Sequence, residues 1–195
     1  MNDQKRKTPT IEQLEAELTR VRHKREYGRT LRGTIYILVV VAAVAFLIAS
    51  LFLPVLRVYG TSMEPTLKNK EIVVALKGSE FQRGDIVAFY YNNKILLKRV
   101  IGVAGDQIVI EKDGTVFVNG EELNEPYISE KSLGECDLTF PYQVPENRIF
   151  VMGDHRDLSI DSRSSTIGCI ADEAIVGRVA LRVWPLNQFG IINNN

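Results

Sequence analysis

Hydrophobic and polar positions divide the chain into one long uncharged segment and a later region of short apolar runs. Residues 33–56 form 24 consecutive positions without a charge. As a helix this segment would extend ~36 Å, enough to cross a hydrocarbon core of ~30 Å. A secretory signal peptide has a shorter apolar region that lies nearer the N-terminus, and a soluble helix has polar residues on its exposed face. The pattern therefore predicts a single membrane-spanning helix at residues 33–56.

After residue 56, apolar and β-branched residues come in short runs that are bounded by turn residues, a pattern typical of strands. These runs are EIVVAL from Glu71, DIVAFYY from Asp85, KILLKRVIGV from Lys94, QIVIEKDGTVFVNG from Gln107, RIFVMGD from Arg148 and AIVGRVALRVWPL from Ala174. Asp113-Gly114 between two alternating runs predicts a hairpin, and Asn119-Gly120 predicts a second turn. We therefore expect residues 57–195 to form one mainly antiparallel, β-rich domain.

The charges on the two sides of the apolar segment have opposite signs. Residues 1–32 contain nine Lys or Arg and five Asp or Glu, whereas residues 57–195 contain fifteen and nineteen. The positive-inside rule predicts that residues 1–32 lie in the cytoplasm and residues 57–195 on the outer face of the membrane. The total charge is zero, which gives no indication of nucleic-acid binding.

The basic N-terminal segment also has a helical pattern. Thr10 and Gln13 fit a capping box, and apolar residues recur at spacings of three and four from Ile11 to Val21. We expect a short amphipathic helix there. Two cysteines, Cys136 and Cys169, fall in the predicted outer domain, where a disulfide can persist, so a bridge and two free thiols are both open. No cluster of His and Cys indicates a metal site, and we predict neither a metal nor a cofactor.

The candidate nucleophile is Ser62, in the segment GTSMEPTL at residues 60–67. A serine hydroxyl attacks a carbonyl only when a nearby base accepts its proton. Of the two histidines, His23 lies on the cytoplasmic side of the predicted span, which leaves His155, flanked by Asp154 and Asp157. The alternative base is Lys98, because a lysine in an apolar strand has its charged form disfavoured and its pKa lowered. The residues alone leave both bases open.

Four segments, in this order, resemble the motifs of the bacterial type I signal peptidases, also called leader peptidases. The segments are SMEPTL at residues 62–67, GDIVAF at residues 84–89, KRVIGVAGD at residues 98–106 and GDHRDLSIDSR at residues 153–163. The resemblance covers most of the predicted outer domain, and the single preceding span also fits this family. It implies a signal-peptidase-like β fold and a serine endopeptidase that needs no cofactor.

The resemblance also assigns roles to residues of this chain. It implies that Ser62 is the nucleophile and Lys98 the general base, a Ser/Lys dyad, because the family usually has asparagine where His155 stands. Ser159 would orient the lysine amine, and Asp161 and Arg163 would form a structural ion pair. Many relatives have a hydroxyl residue as second oxyanion donor two positions before the nucleophile, where this chain has Gly60. His155 and Leu158 replace two asparagines of the last motif.

The substrates implied by the resemblance are secretory preproteins with small residues at positions −1 and −3 of the cleavage site. The apolar residues that would line the corresponding pockets are Gly60, Met63, Leu67, Ala88 and Leu97. The enzyme would be anchored in the lipid bilayer of the cell membrane, close to the export translocon, where cleavage sites emerge. Processing of one or a few dedicated preproteins is an alternative to general signal-peptide removal.

Overall fold

The computed structural model describes residues 10–78 and 80–192, and its first element is a long helix, α1 (Ile11–Phe52). The predicted capping box contributes to the start of α1, because the Thr10 backbone N–H donates to Gln13 Oε1 at 3.2 Å. The predicted amphipathic helix and the apolar segment are thus one continuous helix. It ends two residues before Pro54, since a residue that precedes proline disfavours the helical conformation. Val55 and Leu56, which we expected at the end of the span, belong to a strand instead.

Within the described part of the chain, α1 is the one helix that is long and apolar enough to cross a membrane. None of its residues is buried by other parts of the protein. The structure divides into two compact units between Ala49 and Ser50, so the second unit begins with the last turn of α1. The division of the chain into cytoplasmic, membrane and outer segments stays a prediction.

The second unit is built of short strands. They are β1 (Val55–Arg57), β2 (Ile72–Leu76), β3 (Ile86–Tyr91), β4 (Lys94–Gly102), β5 (Gln107–Ile110), β6 (Val116–Val118), β7 (Glu121–Glu122), β8 (Tyr142–Gln143), β9 (Arg148–Met152), β10 (Ile170–Ala171), β11 (Ile175–Trp184) and β12 (Gly190–Ile191). Each predicted apolar run contains at least one of them. β2 alternates between buried and half-buried positions, and β4 is buried at every position from Lys98 to Gly102. Both patterns are typical of strands in a packed sheet.

The strands form two antiparallel sheets. In the larger sheet the order is β1-β2-β11-β3-β4-β9-β10, with β12 also paired to β11, and in the smaller sheet it is β7-β6-β5-β8. The predicted hairpin at Asp113-Gly114 joins β5 to β6, and Asn119-Gly120 turns the chain from β6 into β7. The prediction of a β-rich antiparallel domain is therefore confirmed.

The hydrophobic core of this unit supports the segment that carries Ser62. Met63 and Leu67 pack with Val73, Ile86 and Val179 in one buried cluster, so the segment between β1 and β2 is held against the larger sheet. A second cluster lies between the larger sheet and the smaller sheet and includes Ile101, Ile108 and Phe150. Burial of such side chains stabilises the fold by ~1.5–3 kcal/mol each. Cys136 and Cys169 are free thiols and form no bridge.

Candidate active site

Ser62 lies in a tight turn that is fixed at both ends. The Glu64 N–H donates to the Thr61 carbonyl at 3.0 Å, and the Leu67 N–H donates to the Met63 carbonyl at 2.8 Å. Gly60 has a φ of 86°, a left-handed conformation that favours glycine over residues with a Cβ. The side chains of Met63 and Leu67 point into the core, while Ser62 itself is half-buried. The loop therefore presents the Ser62 hydroxyl from a rigid base.

Lys98 lies in β4, and only 4% of its surface is exposed. Its Nζ donates to Ser159 Oγ at 2.8 Å. Burial, which penalises the charged form, lowers the pKa of Lys98 from 10.5 to about 8. The carboxylates of Asp161 and Asp154 oppose this change, and the Arg163 guanidinium adds to it. A substantial fraction of this amine is therefore neutral, and able to accept a proton, in mildly alkaline solution.

Ser62 and Lys98 line the same cleft, which has a volume of about 790 Å³. Three of the residues predicted to contact substrate, Gly60, Met63 and Leu97, also line it, together with residues 55–59 and 93–96. Leu67 and Ala88, the other two, have no exposed surface. Leu67 packs in the core below the Ser62 loop, and Ala88 pairs with Leu97 across β3 and β4. Leu67 and Ala88 therefore lie behind the residues that line the cleft, because other core residues cover their side chains.

A chain of polar contacts connects the Lys98 amine to a buried ion pair. Ser159, which accepts from Lys98, donates its own hydroxyl to the Asp161 carboxylate. Asp161 receives two hydrogen bonds of 2.9 Å from the Arg163 side chain. Burial opposes the Asp161 charge, but the hydrogen bonds and charge of Arg163 outweigh it and hold the pKa of Asp161 below its usual value. The structure thus brings Ser159, Asp161 and Arg163 together beside Lys98.

Gly153 is a site residue to which the sequence analysis gave no role. A Cβ at this position would lie 2.2 Å from Ser159 Oγ and 2.5 Å from the Ser62 carbonyl oxygen, far closer than atoms pack. Its N–H also donates to Asp161 Oδ2 at 2.9 Å. Gly153 therefore allows the Ser62 loop and the Ser159 segment to approach each other closely. Its position at the start of the last motif was the one sequence signal.

A second buried ion pair fixes the start of that motif. Asp154 is bound by Arg99 through two hydrogen bonds of 2.8 and 2.7 Å, and neither side chain is exposed. Thr66 Oγ1 also donates to Asp154, at 2.5 Å, and this contact ties the Ser62 loop to the motif. The Arg99 guanidinium lies 3.8 Å from the centre of the Tyr127 ring. Because Arg99 follows Lys98 directly in β4, the pair also positions the strand that carries the amine.

Arg156, the next arginine of the motif, binds Glu125. The two side chains form a buried bidentate pair, and Arg156 Nε donates to the Gly153 carbonyl at 3.1 Å. Sequence reasoning missed Glu125 and Arg99 as supports because each lies 31 or more residues from its partner. Buried charges such as these are costly unless they are paired.

The two substituted motif positions have different surroundings. The His155 backbone N–H donates to the Ser62 carbonyl at 3.1 Å, while its side chain is half-buried and lines a separate cleft that also contains Glu64 and Asp157. Leu158 is 59% exposed. The contact made by His155 thus uses its backbone, which an asparagine would also supply.

Comparison with known proteins identifies the family. Residues 31–184 match the family described as "Signal peptidase, peptidase S26". Signal peptidase IB of Staphylococcus aureus (strain COL) is 34% identical over 167 residues, which cover 75% of this chain and 85% of that protein. Signal peptidase I of Bacillus licheniformis is 38% identical over 168 residues, covering 77% and 87%.

A crystal structure of a signal peptidase I from Enterococcus faecalis is 30% identical, covers 51% of this chain and 97% of that chain, and has a TM-score of 0.42. The family match spans most of the chain, including the Ser62 loop, β4 and the last motif. The chain therefore belongs to the type I signal peptidases, the hydrolases of peptidase family S26 that act on preproteins carrying signal peptides.

Proposed function

We propose that this chain is a membrane-anchored serine endopeptidase in which Ser62 is the nucleophile and Lys98 the general base. The observation that carries the proposal is the buried Lys98 amine, whose pKa is lowered to about 8 and which lines the same cleft as Ser62. A neutral amine is a suitable acceptor for a serine proton, and an ordinary exposed lysine is not neutral at such pH. His155 is a weaker candidate, because its side chain lines a different cleft.

The reaction follows from these two groups. Neutral Lys98 Nζ accepts the Ser62 proton as Oγ bonds to the scissile carbonyl carbon, and the carbonyl oxygen becomes an oxyanion. The C–N bond then breaks, and the protonated Lys98 gives its proton to the leaving amine. An acyl-enzyme remains, and Lys98 next takes a proton from water, which attacks the ester carbon and restores the Ser62 hydroxyl.

Positioning of the Lys98 amine is the proposed role of Ser159, Asp161 and Arg163. The Ser159 hydroxyl accepts the hydrogen bond from Nζ, and the Asp161 carboxylate in turn accepts a hydrogen bond from the Ser159 hydroxyl. This arrangement directs a lone pair of the neutral amine without placing a full charge in contact with it. For the oxyanion, the Ser62 backbone N–H is the proposed donor; Gly60 has no side chain to supply a second one.

The proposed substrate segment is extended and lies between two strand edges. β1 pairs with β2 alone, and residues 94–98 of β4 pair with β3 alone within the described chain, so both strands offer unpaired backbone groups next to the cleft. An added strand would use these groups in the manner of β-augmentation. We propose that Gly60, Met63 and Leu97 contact small residues at positions −1 and −3, with Leu67 and Ala88 as the packing behind them.

The proposed location is the cell membrane, with residues 1–32 in the cytoplasm and residues 57–195 on the outer face. The charge difference across α1 supports this orientation. Ser62 follows the end of the apolar segment by six residues, so the site lies close to the lipid surface. Cleavage sites of exported preproteins emerge at that surface, and the proposed position of the enzyme is therefore near the export translocon.

The experiment is cleavage of a preprotein by the full chain in detergent or lipid vesicles. We expect Ser62→Ala and Lys98→Ala to reduce the rate by at least about 10³-fold, because each removes a group that no neighbour replaces. Lys112→Ala and Ser165→Ala, exposed positions away from the cleft, are the matched controls. Full activity of Lys98→Ala would reject the dyad. A panel of unrelated preproteins would separate a general enzyme from one with a dedicated substrate.

A further inference from the structure

A second cleft, of about 510 Å³, is lined by residues that follow Ser62 in its loop. The cleft that contains Ser62 and Lys98 is called the apolar cleft below. The walls of the second cleft come from Glu64, Pro65 and Lys68, from residues 129–132 and from residues 154–157. Its charged and titratable side chains are those of Glu64, Lys68, Glu130, Lys131, Asp154, His155, Arg156 and Asp157. We call this second cleft the polar cleft.

The strand directions place the polar cleft beyond the reacting end of the apolar cleft. Four antiparallel pairings separate β1 from β4, so these two strands run in the same direction. The apolar cleft is lined on one side by β1 and the segment after it, as far as Met63, and on the other side by residues 93–98, from the start of β4. Ser62 and Lys98 therefore lie at the same end, and a substrate bonded to Ser62 fills the cleft on only one side of the cleaved bond.

The segment on the other side of the cleaved bond must continue past Ser62. The His155 backbone N–H donates a hydrogen bond to the Ser62 carbonyl at 3.1 Å, and Glu64 follows Ser62 by two positions. Both residues are walls of the polar cleft. The next residues of an extended chain, at ~3.3 Å per residue, would therefore enter the polar cleft immediately after the reacting carbonyl.

Among the charged side chains of the polar cleft that form no ion pair, the negative ones outnumber the positive ones. Lys131 pairs with Glu122, Arg156 pairs with Glu125, and Asp154 pairs with Arg99. This leaves Glu64, Glu130 and Asp157, for which the described chain supplies no ion-pair partner, against Lys68 alone. With His155 counted as neutral, the cleft has an excess of negative charge next to Ser62.

We infer that the polar cleft binds the first residues of the mature protein, on the C-terminal side of the cleaved bond, and favours basic over acidic side chains there. This inference rests on the proposed function, since it needs Ser62 as the nucleophile and the signal segment in the apolar cleft. The cleft suits the polar start of a mature chain, just as the apolar cleft suits the small residues before the cleaved bond. Glu64, Glu130 and Asp157 are thus specificity-determining residues.

The test uses three preproteins that are identical except for Ala, Lys or Glu at the second position of the mature chain. We measure kcat/KM for the full chain in vesicles of neutral lipid at low salt. We expect the Lys substrate to be cleaved about tenfold faster than the Glu substrate, because several weak, exposed charge interactions act together. The triple variant Glu64→Gln, Glu130→Gln, Asp157→Asn should bring this ratio close to one, and Lys68→Gln should raise it.

Matched controls are Glu111→Gln and Glu173→Gln, which neutralise exposed carboxylates outside both clefts and should leave the ratio unchanged. A wild-type ratio near one would overturn the inference, and so would a triple variant that keeps the wild-type ratio. Failure of the proposed function gives a different result: the Ser62→Ala variant would still cleave the Ala substrate. That result would reject both Ser62 as the nucleophile and the charge preference of the polar cleft.

Discussion

At the residue scale, the site depends on a lysine whose charge the fold makes unfavourable. Lys98 is 4% exposed, and its amine donates a hydrogen bond to the neutral hydroxyl of Ser159. The amine therefore lacks the solvation that keeps ordinary lysines protonated, which lowers its pKa. The nearby carboxylates of Asp161 and Asp154 oppose this change, whereas the Arg163 guanidinium adds to it. Both carboxylates are held in buried ion pairs, with Arg163 and with Arg99. Burial of the amine is thus the main cause of the lowered pKa of the proposed base.

Gly153 gives a sharp prediction at this scale. Gly153→Ala should lower kcat/KM by at least about 100-fold, because displacing catalytic groups by even ~1 Å has effects of that size. The added Cβ would lie 2.2 Å from Ser159 Oγ and must move either that hydroxyl or the Ser62 loop. The measurement is preprotein cleavage, together with the thermal unfolding midpoint to establish that the variant folds.

Gly190→Ala is the matched control for this substitution, since a Cβ at Gly190 has no atom within 4 Å. It should cleave at the wild-type rate. A folded Gly153→Ala protein within twofold of wild type would show that the close approach of the two segments is not needed.

The sequence carried unequal information about individual residues. Ser62 and Lys98 could be proposed because their motifs and the apolar neighbours of Lys98 give local signals. Glu125 and Tyr127 could not be proposed, since they lie in an irregular segment whose pairing with Arg156 and Arg99 exists only after folding. Leu67 was placed in a substrate pocket by its position in a motif, but its burial depends on Ile86 and Val179, which come from other strands.

At the element scale, the runs of apolar residues were sufficient to predict the main strands and the hairpin at Asp113-Gly114. The pairing order was not predictable, because β11 comes late in the chain and yet inserts between β2 and β3. The two-residue strands β7, β8, β10 and β12 have no pattern of their own. The end of α1 was predicted four residues late, since hydropathy continues through Val55 and Leu56 while Pro54 stops the helix.

The buried ion pair between Arg99 of β4 and Asp154 of the last motif should contribute to the stability of the fold. Asp154→Asn should lower the free energy of unfolding by about 3 kcal/mol, because it leaves the buried Arg99 guanidinium without its counter-charge. Glu122→Gln is the matched control, since the Glu122–Lys131 pair is about half exposed and screened by solvent. Denaturant unfolding of the full chain in detergent measures both. Equal midpoints for the two variants would contradict a structural role for the buried pair.

At the scale of the whole molecule, the chain combines one apolar helix with a catalytic unit that has its own core. The proposed orientation depends on the excess of basic residues before the apolar segment. The substitutions Glu15→Cys and Glu173→Cys, each made alone in a protein with Cys136→Ala and Cys169→Ala, can measure this orientation, since both positions are exposed.

A membrane-impermeant maleimide added to intact cells should label Glu173→Cys and leave Glu15→Cys unlabelled until the membrane is permeabilised. The physical reason is that translocation of a segment rich in Lys and Arg is disfavoured. Labelling of Glu15→Cys in intact cells, with protection of Glu173→Cys, would reverse the proposed topology.

The central claim is that neutral Lys98 activates Ser62, and the pH dependence of kcat/KM on a preprotein tests it most directly. The pKa of Lys98 is lowered to about 8, and only the deprotonated amine can accept the serine proton. The rate should therefore fall about tenfold per pH unit below pH ~8 and level off above it. A rate that stays constant between about pH 6 and 9 would contradict the account, because no group with the pKa of the buried amine would then control the reaction.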